Sequence, residues 1–139
     1  MKKTFTPSQK NIVAGWHVVD ANGKILGKLA TDVSTLLTGK HKAIYTPNIN
    51  VGDKVVVINS GKITVSKNKL KDKIYYRHTG YPGGIKSEKL EGLLKKDSTK
   101  VIRLAVKGML PKNKLRKHRL ANLYIYKGTE HPHSGQINA

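Results

Sequence analysis

Six cations fall within thirteen residues from Lys107 to Arg119, in the run KGMLPKNKLRKHR. Lys107, Lys112, Lys114, Arg116, Lys117 and Arg119 stand there with His118 and no acid. Flexible cations at this density suit the phosphate backbone of a nucleic acid. A charge run is ordinarily a solvated face, but six cations without a counter-charge are harder to explain that way. Pro111 fixes its own φ close to Gly108, so that a short rigid element can carry the charge. Gly108, Met109, Leu110 and Pro111 are therefore read as an RNA-facing structural motif. Met109 and Leu110 are apolar, and are expected to pack on the core or against RNA.

A second segment pairs cations with aromatic rings. Lys62, Lys67, Lys69, Lys71, Lys73 and Arg77 face only Asp72, and Tyr75 and Tyr76 stand at the end of the run. Lysines contact phosphates, and unpaired bases stack on aromatic planes. In a strand, adjacent tyrosines point to opposite faces, so one belongs to the core and the other faces outward. His78, Gly80, Tyr81, Gly83 and Gly84 continue this candidate RNA surface. The competing reading is an edge strand whose lysines block aggregation.

Other chemistry finds less support. A phosphate loop needs G-x-x-x-x-G-K-[ST], and the glycines of GKILGKLA are wrongly spaced for it. No G-x-G-x-x-G occurs. Eight acids are scattered through the chain, with no cluster for divalent metal or acid–base work. No serine carries a nucleophile signature. A small nucleotide-dependent enzyme with a basic surface is the rival reading, and the missing phosphate-loop spacing argues against it. Six histidines include His131-Pro132-His133. Zinc sites need three or four ordered ligands, and nothing in the spacing of His17, His41, His78 and His118 completes one. His131 and His133 are expected to meet RNA phosphate or pack at a sheet edge. No catalytic residue, metal, cofactor or small-molecule substrate is expected.

Composition agrees with a polyanionic partner. Lys and Arg number 27 against 8 Asp and Glu, a formal charge of +19. Self-repulsion opposes compaction, and a polyanion bound to the native form relieves it. Nucleic acid is the first candidate and an anionic membrane surface the second. A charge kept for solubility alone comes last, because acids serve solubility better. Lys outnumbers Arg 23 to 4, so point-charge contact should prevail over bidentate readout. There are no cysteines, which removes disulfides and thiolate metal sites and fits a reducing cytosol. No secretory signal is read at the start, and no stretch approaches the ~20 apolar residues of a membrane span.

The elements that must position these residues alternate. The chain of 139 residues suits one domain. Residues 1–14 read as a basic tail, 15–127 as one α/β RNA-binding domain and 128–139 as a second polar tail. WHVVD, from Trp16 to Asp20, predicts a strand. Ile25, Leu26, Leu29, Ala30, Val33, Leu36 and Leu37 recur at helical spacing, and Gly39 stops that helix. DKVVVIN, from Asp53 to Asn59, predicts a strand buried on both faces, with Ile63 to Val65 as its extension. IYYRH, from Ile74 to His78, predicts a strand, and GYPGG a loop. Ser87 to Lys96 predicts a helix capped by Ser87, with a Glu91–Lys95 pair. Ser98 to Met109 reads as a helix capped by Ser98 or Thr99, with a strand as the alternative. Lys112 to Ala121 reads as a basic helix and LYIY, from Leu123 to Tyr126, as a last strand. Alternating strands and helices predict α/β with a mostly parallel sheet.

GMLPK (108–112) is the most specific element. Before it come WHVVDANGKILGKLA, GDKVVVIN and GYPGG, and after it YKGTEHPHSGQ. In this order and at these separations the set resembles the bacterial and organellar large-subunit ribosomal protein L-thirteen family, from about Trp16 to Gln136. Ser66-Lys67 and Arg116 stand where the family commonly has Thr-Gly and Gly. The resemblance implies a three-layer α/β/α fold around a four-stranded parallel sheet and no catalytic activity. It also implies a cytoplasmic place in the ribosome on large-subunit (23S-type) rRNA, beside neighbouring large-subunit proteins, with entry early in assembly. Some members of the family are linked to repression of their own mRNA.

Overall fold

A computed structural model describes residues 6–137, apart from the side chains of Gln9 and Lys67. Residues 1–5 of the expected first tail, the last two residues of the second, and the Lys67 side chain lie outside the described residues.

Three strands form a parallel sheet: β1 (Trp16–Asp20), β2 (Lys54–Ile58) and β5 (Leu123–Ile125), in the order β1-β2-β5. Val55, Val56 and Val57 of the middle strand are fully buried. An unbroken valine run suits that position, since both faces are covered and both edges are paired. Two further strands, β3 (Ile74–His78) and β4 (Ile85–Lys89), pair antiparallel in a separate hairpin. Among the described residues the parallel sheet thus has three strands, not the four that the resemblance implied. The expected extension at Ile63 to Val65 shrinks to one parallel bridge, Ile25 to Thr64.

The helices are α1 (Leu26–Thr38), α2 (Lys67–Asp72), α3 (Leu90–Lys96), α4 (Ser98–Met109), α5 (Leu115–Ala121) and α6 (Ser134–Ile137). Leu26, Leu29, Ala30, Val33 and Leu37 give α1 one apolar stripe, and Val101, Ile102 and Val106 give α4 another. Both stripes join Val55, Val57 and Leu123 in one core. Strand alternation puts Trp16, Val18, Val56 and Tyr124 on the opposite face. Residues 131–137 fold back there: the His133 ring lies 4.5 Å from Tyr124 and 5.1 Å from Trp16. Val18 stays exposed, so the described residues do not build a full helical layer on this side.

Local signals explain where elements stop. Gly39 ends α1 at φ 80°, and its N–H reaches the carbonyls of Thr35 and Leu36. Glycine adopts that left-handed conformation without a Cβ penalty. Asp97, not Ser98 or Thr99, caps α4, its Oδ1 accepting from the Thr99 and Lys100 amides at 3.1 and 3.4 Å. Ser98 is buried instead, its hydroxyl 2.9 Å from that of Ser60. Ser87 is no cap either. It pairs with Tyr76 inside the hairpin, and the helix begins at Leu90 without a side-chain cap. The Glu91–Lys95 pair forms at 2.8 Å.

Asp53, just before β2, is a buried hub. Its Oδ1 accepts from the Gly15 amide at 2.8 Å and from Lys42 at 2.5 Å. Its Oδ2 lies 2.8 Å from the Nε2 atoms of both His17 and His41. Burial pushes the carboxyl pKa up, but hydrogen bonds from Lys42, His17 and Gly15 outweigh it and hold the group below its ordinary value.

Candidate nucleic-acid interface

The long cationic run folds onto several surfaces. Lys107, Lys114, Arg116 and Lys117 converge with Asn113 around an open concavity of about 700 Å³. Arg103 joins them from one turn earlier on α4. No carboxylate lines this concavity, so its field is cationic throughout. The Arg103 guanidinium donates to the Leu123 carbonyl at 3.4 Å, which steadies it at the start of β5. Lys112 is exposed on the loop before α5.

Two residues of the run go elsewhere. His118 lines a different concavity with Asn48, Asn50 and Leu115. Arg119 is only 1% exposed, which corrects its reading as a surface phosphate contact. A seven-residue helix lying against α1, α4 and β5 must turn one face inward, and Arg119 occupies it. Its Nε and Nη2 have no hydrogen-bond partner among the described residues.

The GMLP element also divides. Leu110 is buried in the core, so it is not RNA-facing. Met109 is 45% exposed, with its sulfur 3.5 Å from the Thr31 hydroxyl. Gly108 and Pro111 are exposed beside it.

The hairpin presents the second surface. Tyr75 is half-buried against the core while Tyr76 is 67% exposed, the split that strand alternation requires. Lys73 sits 5.2 Å over the Tyr75 ring. Arg77 and both tyrosines line a groove of about 500 Å³ with Lys86, Lys96 and Lys100. Glu88 supplies the acid of this groove and is paired with Lys96. Tyr81 and Ile85 are exposed at the tip. Gly80 and Gly83 turn the loop at φ 92° and 70°, and His78 Nδ1 accepts the Gly80 amide at 2.9 Å. His78 therefore shapes the turn. Gly84 closes against Thr79, whose hydroxyl a Cβ would strike. Lys62, Lys69 and Lys71 are exposed nearby in sequence.

Helix α4 links the two surfaces. Lys100 lines the hairpin groove and Arg103 and Lys107 line the concavity. Their spacing of three and four residues places them on one exposed face. Lys86, Lys96, Lys100 and Arg103 were not among the sequence candidates. The signal available for the α4 pair was cations at helical spacing opposite the apolar stripe.

His131 and His133 belong to an aromatic cluster. His133 Nε2 lies 2.9 Å from the Tyr126 hydroxyl and its Nδ1 lies 3.1 Å from Gln136 Oε1. Sheet-edge packing, one of the two expected roles, is what the structure displays, and residues 128–137 are anchored by it.

The comparisons with known proteins agree in scope. The family model described as Ribosomal protein L13 matches residues 14–132. A Geobacter sulfurreducens protein named large ribosomal subunit protein uL13 is 50% identical over 136 residues, covering 98% of this chain and 95% of that protein. Its namesake in Nitratiruptor is 51% identical, covering 99% and 98%, and that of Nitrosococcus oceani is 52% identical, covering 96% and 94%. Each is named as a ribosomal protein and none as an enzyme. A match of this length and identity leaves one assignment: the chain belongs to the ribosomal protein L13 family.

Proposed function

We propose that this protein is a structural constituent of the large ribosomal subunit. It binds large-subunit rRNA and takes part in early subunit assembly, in the cytoplasm and beside neighbouring ribosomal proteins. The observation that carries the reading is the concavity where Arg103, Lys107, Lys114, Arg116 and Lys117 meet without an acid. Such a surface gains little from solvent alone and much from a ribose-phosphate backbone, whose counterions it releases. The hairpin adds an exposed tyrosine face on which unpaired bases can stack, and α4 makes the two surfaces continuous.

The test replaces Lys112, Lys114, Arg116 and Lys117 with Gln. The lysines are exposed and Arg116 is half-buried at the surface, so thermal unfolding should be close to wild type. Binding to large-subunit rRNA should weaken by several kcal/mol, at about 1 kcal/mol or a little more for each charged hydrogen bond. Incorporation into large-subunit particles should fall with it. Wild-type incorporation of a folded variant would move the interface elsewhere.

A further inference from the structure

Away from the basic concavity, three metal-ligating atoms converge. His17 Nε2 comes from β1, His41 Nε2 from the turn after α1 and Asp53 Oδ2 from the residue before β2. All three lie within 4.8 Å of one another. The carboxylate is held from one side only: Gly15 and Lys42 occupy Oδ1, which leaves Oδ2 to the two imidazoles. The rings meet edge to face at 86°, with centroids 5.8 Å apart. Their nitrogens therefore approach one oxygen from different directions, as ligands around an ion do.

We propose that His17, His41 and Asp53 form a binding site for a divalent cation of the zinc class. Two imidazoles and one carboxylate suit a borderline ion, whereas Mg²⁺ and Ca²⁺ take oxygen ligands. Water fills the fourth tetrahedral position, because the His17 and His41 side chains are 39% and 34% exposed and the ion has a way in. Without metal, each Nε2 carries the proton and donates it to Oδ2. Neither Nδ1 bonds another described residue, so moving each proton to Nδ1 gives up only the two bonds to Oδ2, which the ion replaces, and frees two lone pairs. Ligands about 2.0–2.1 Å from a tetrahedral ion lie roughly 3.3 Å apart, so the 2.8 Å contacts need only open slightly. Gly15 and Lys42 become the outer partners that orient the carboxylate. The Lys42 ammonium and the +19 charge oppose a cation. The first is offset by the carboxylate it pairs with, and the second is screened by salt. A bound ion would tie β1, the turn after α1 and the start of β2 together.

The experiment uses the untagged full chain, stripped of metal and titrated with Co²⁺. The expected result is the visible absorption of tetrahedral Co²⁺, displaced by Zn²⁺, and a melting temperature that rises with Zn²⁺ concentration. His17→Gln and His41→Gln should each weaken binding at least ~10-fold, while the His131→Gln/His133→Gln variant should bind like wild type. Where a Gln variant fails to fold, imidazole ¹H–¹⁵N spectra of the wild type replace it. There Zn²⁺ should shift the His17 and His41 ring signals and leave the other four histidines in place. Absence of both the visible bands and the melting shift would overturn the site. So would bands retained by the folded His17→Gln/His41→Gln variant, or ring shifts confined to other histidines.

Discussion

At the scale of single residues, two positions test the packing. Arg119 is a buried guanidinium whose Nε and Nη2 donors are unpaired among the described residues, and a buried donor without a partner costs about 1–3 kcal/mol. Arg119→Met keeps a long flexible side chain and removes the unpaired donors. It should raise the stability of the free protein by about 1 kcal/mol in denaturant titration; a lower stability would mean that the guanidinium is satisfied after all. Gly52 is the opposite case. A Cβ there would overlap the backbone carbonyl of Leu37, where the chain closes on the end of α1 and Asp53 donates to Leu36. Gly52→Ala should cost about 1–3 kcal/mol, read as a lower melting temperature. Residue types announced the cations and the tyrosine pair, because a lysine run or a YY step in a strand has one simple geometry. They did not announce the Asp53 hub. Its histidines come from β1 and from the turn after α1, and only the sheet brings them together. Arg119 misled for a related reason: a cation inside a cationic run looks exposed until the helix is turned against its neighbours.

Among elements, α4 is the one whose cap can be tested. Asp97 holds its first turn, and the Thr99 hydroxyl, opposed in part by desolvation, keeps the carboxyl pKa below the ordinary 3.8. Asp97→Ala should cost about 1 kcal/mol at neutral pH. The folded pKa is the depressed one, so the cap contributes fully above 3.8 and loses its contribution as pH falls through the lower folded value. The stability gap between wild type and variant in urea should therefore narrow below that pH. A gap unchanged by acid would show that the charge is irrelevant to the cap. Long periodic patterns made α1 and β2 legible in the sequence. Ser87 was misread because its capping preference lost to strand pairing with Tyr76, which local sequence does not encode. The helix–strand ambiguity at Ser98 to Met109 resolved as helix because Val101, Ile102 and Val106 share one buried face.

For the whole molecule, the net charge of +19 sets the character of binding. If about six phosphates are neutralised, affinity for rRNA should drop on the order of a thousandfold between about 50 and 200 mM salt. An affinity that ignores salt would remove electrostatics as the driving force. The α/β class and the parallel sheet were legible because strands and helices alternate, whereas the strand count depends on pairings that no periodicity fixes. The sheet order β1-β2-β5 carries a further consequence. The middle strand is flanked by one partner from the beginning of the chain and one from near residue 125, and residues 131–137 then close over Trp16. During synthesis the first half of the chain has no complete sheet to join, so folding should wait until the last strand has left the exit tunnel. Trp16 is the single tryptophan and stacks 5.6 Å from Tyr124. Its fluorescence in nascent chains of increasing length should stay unfolded-like until those residues emerge, then change in one step.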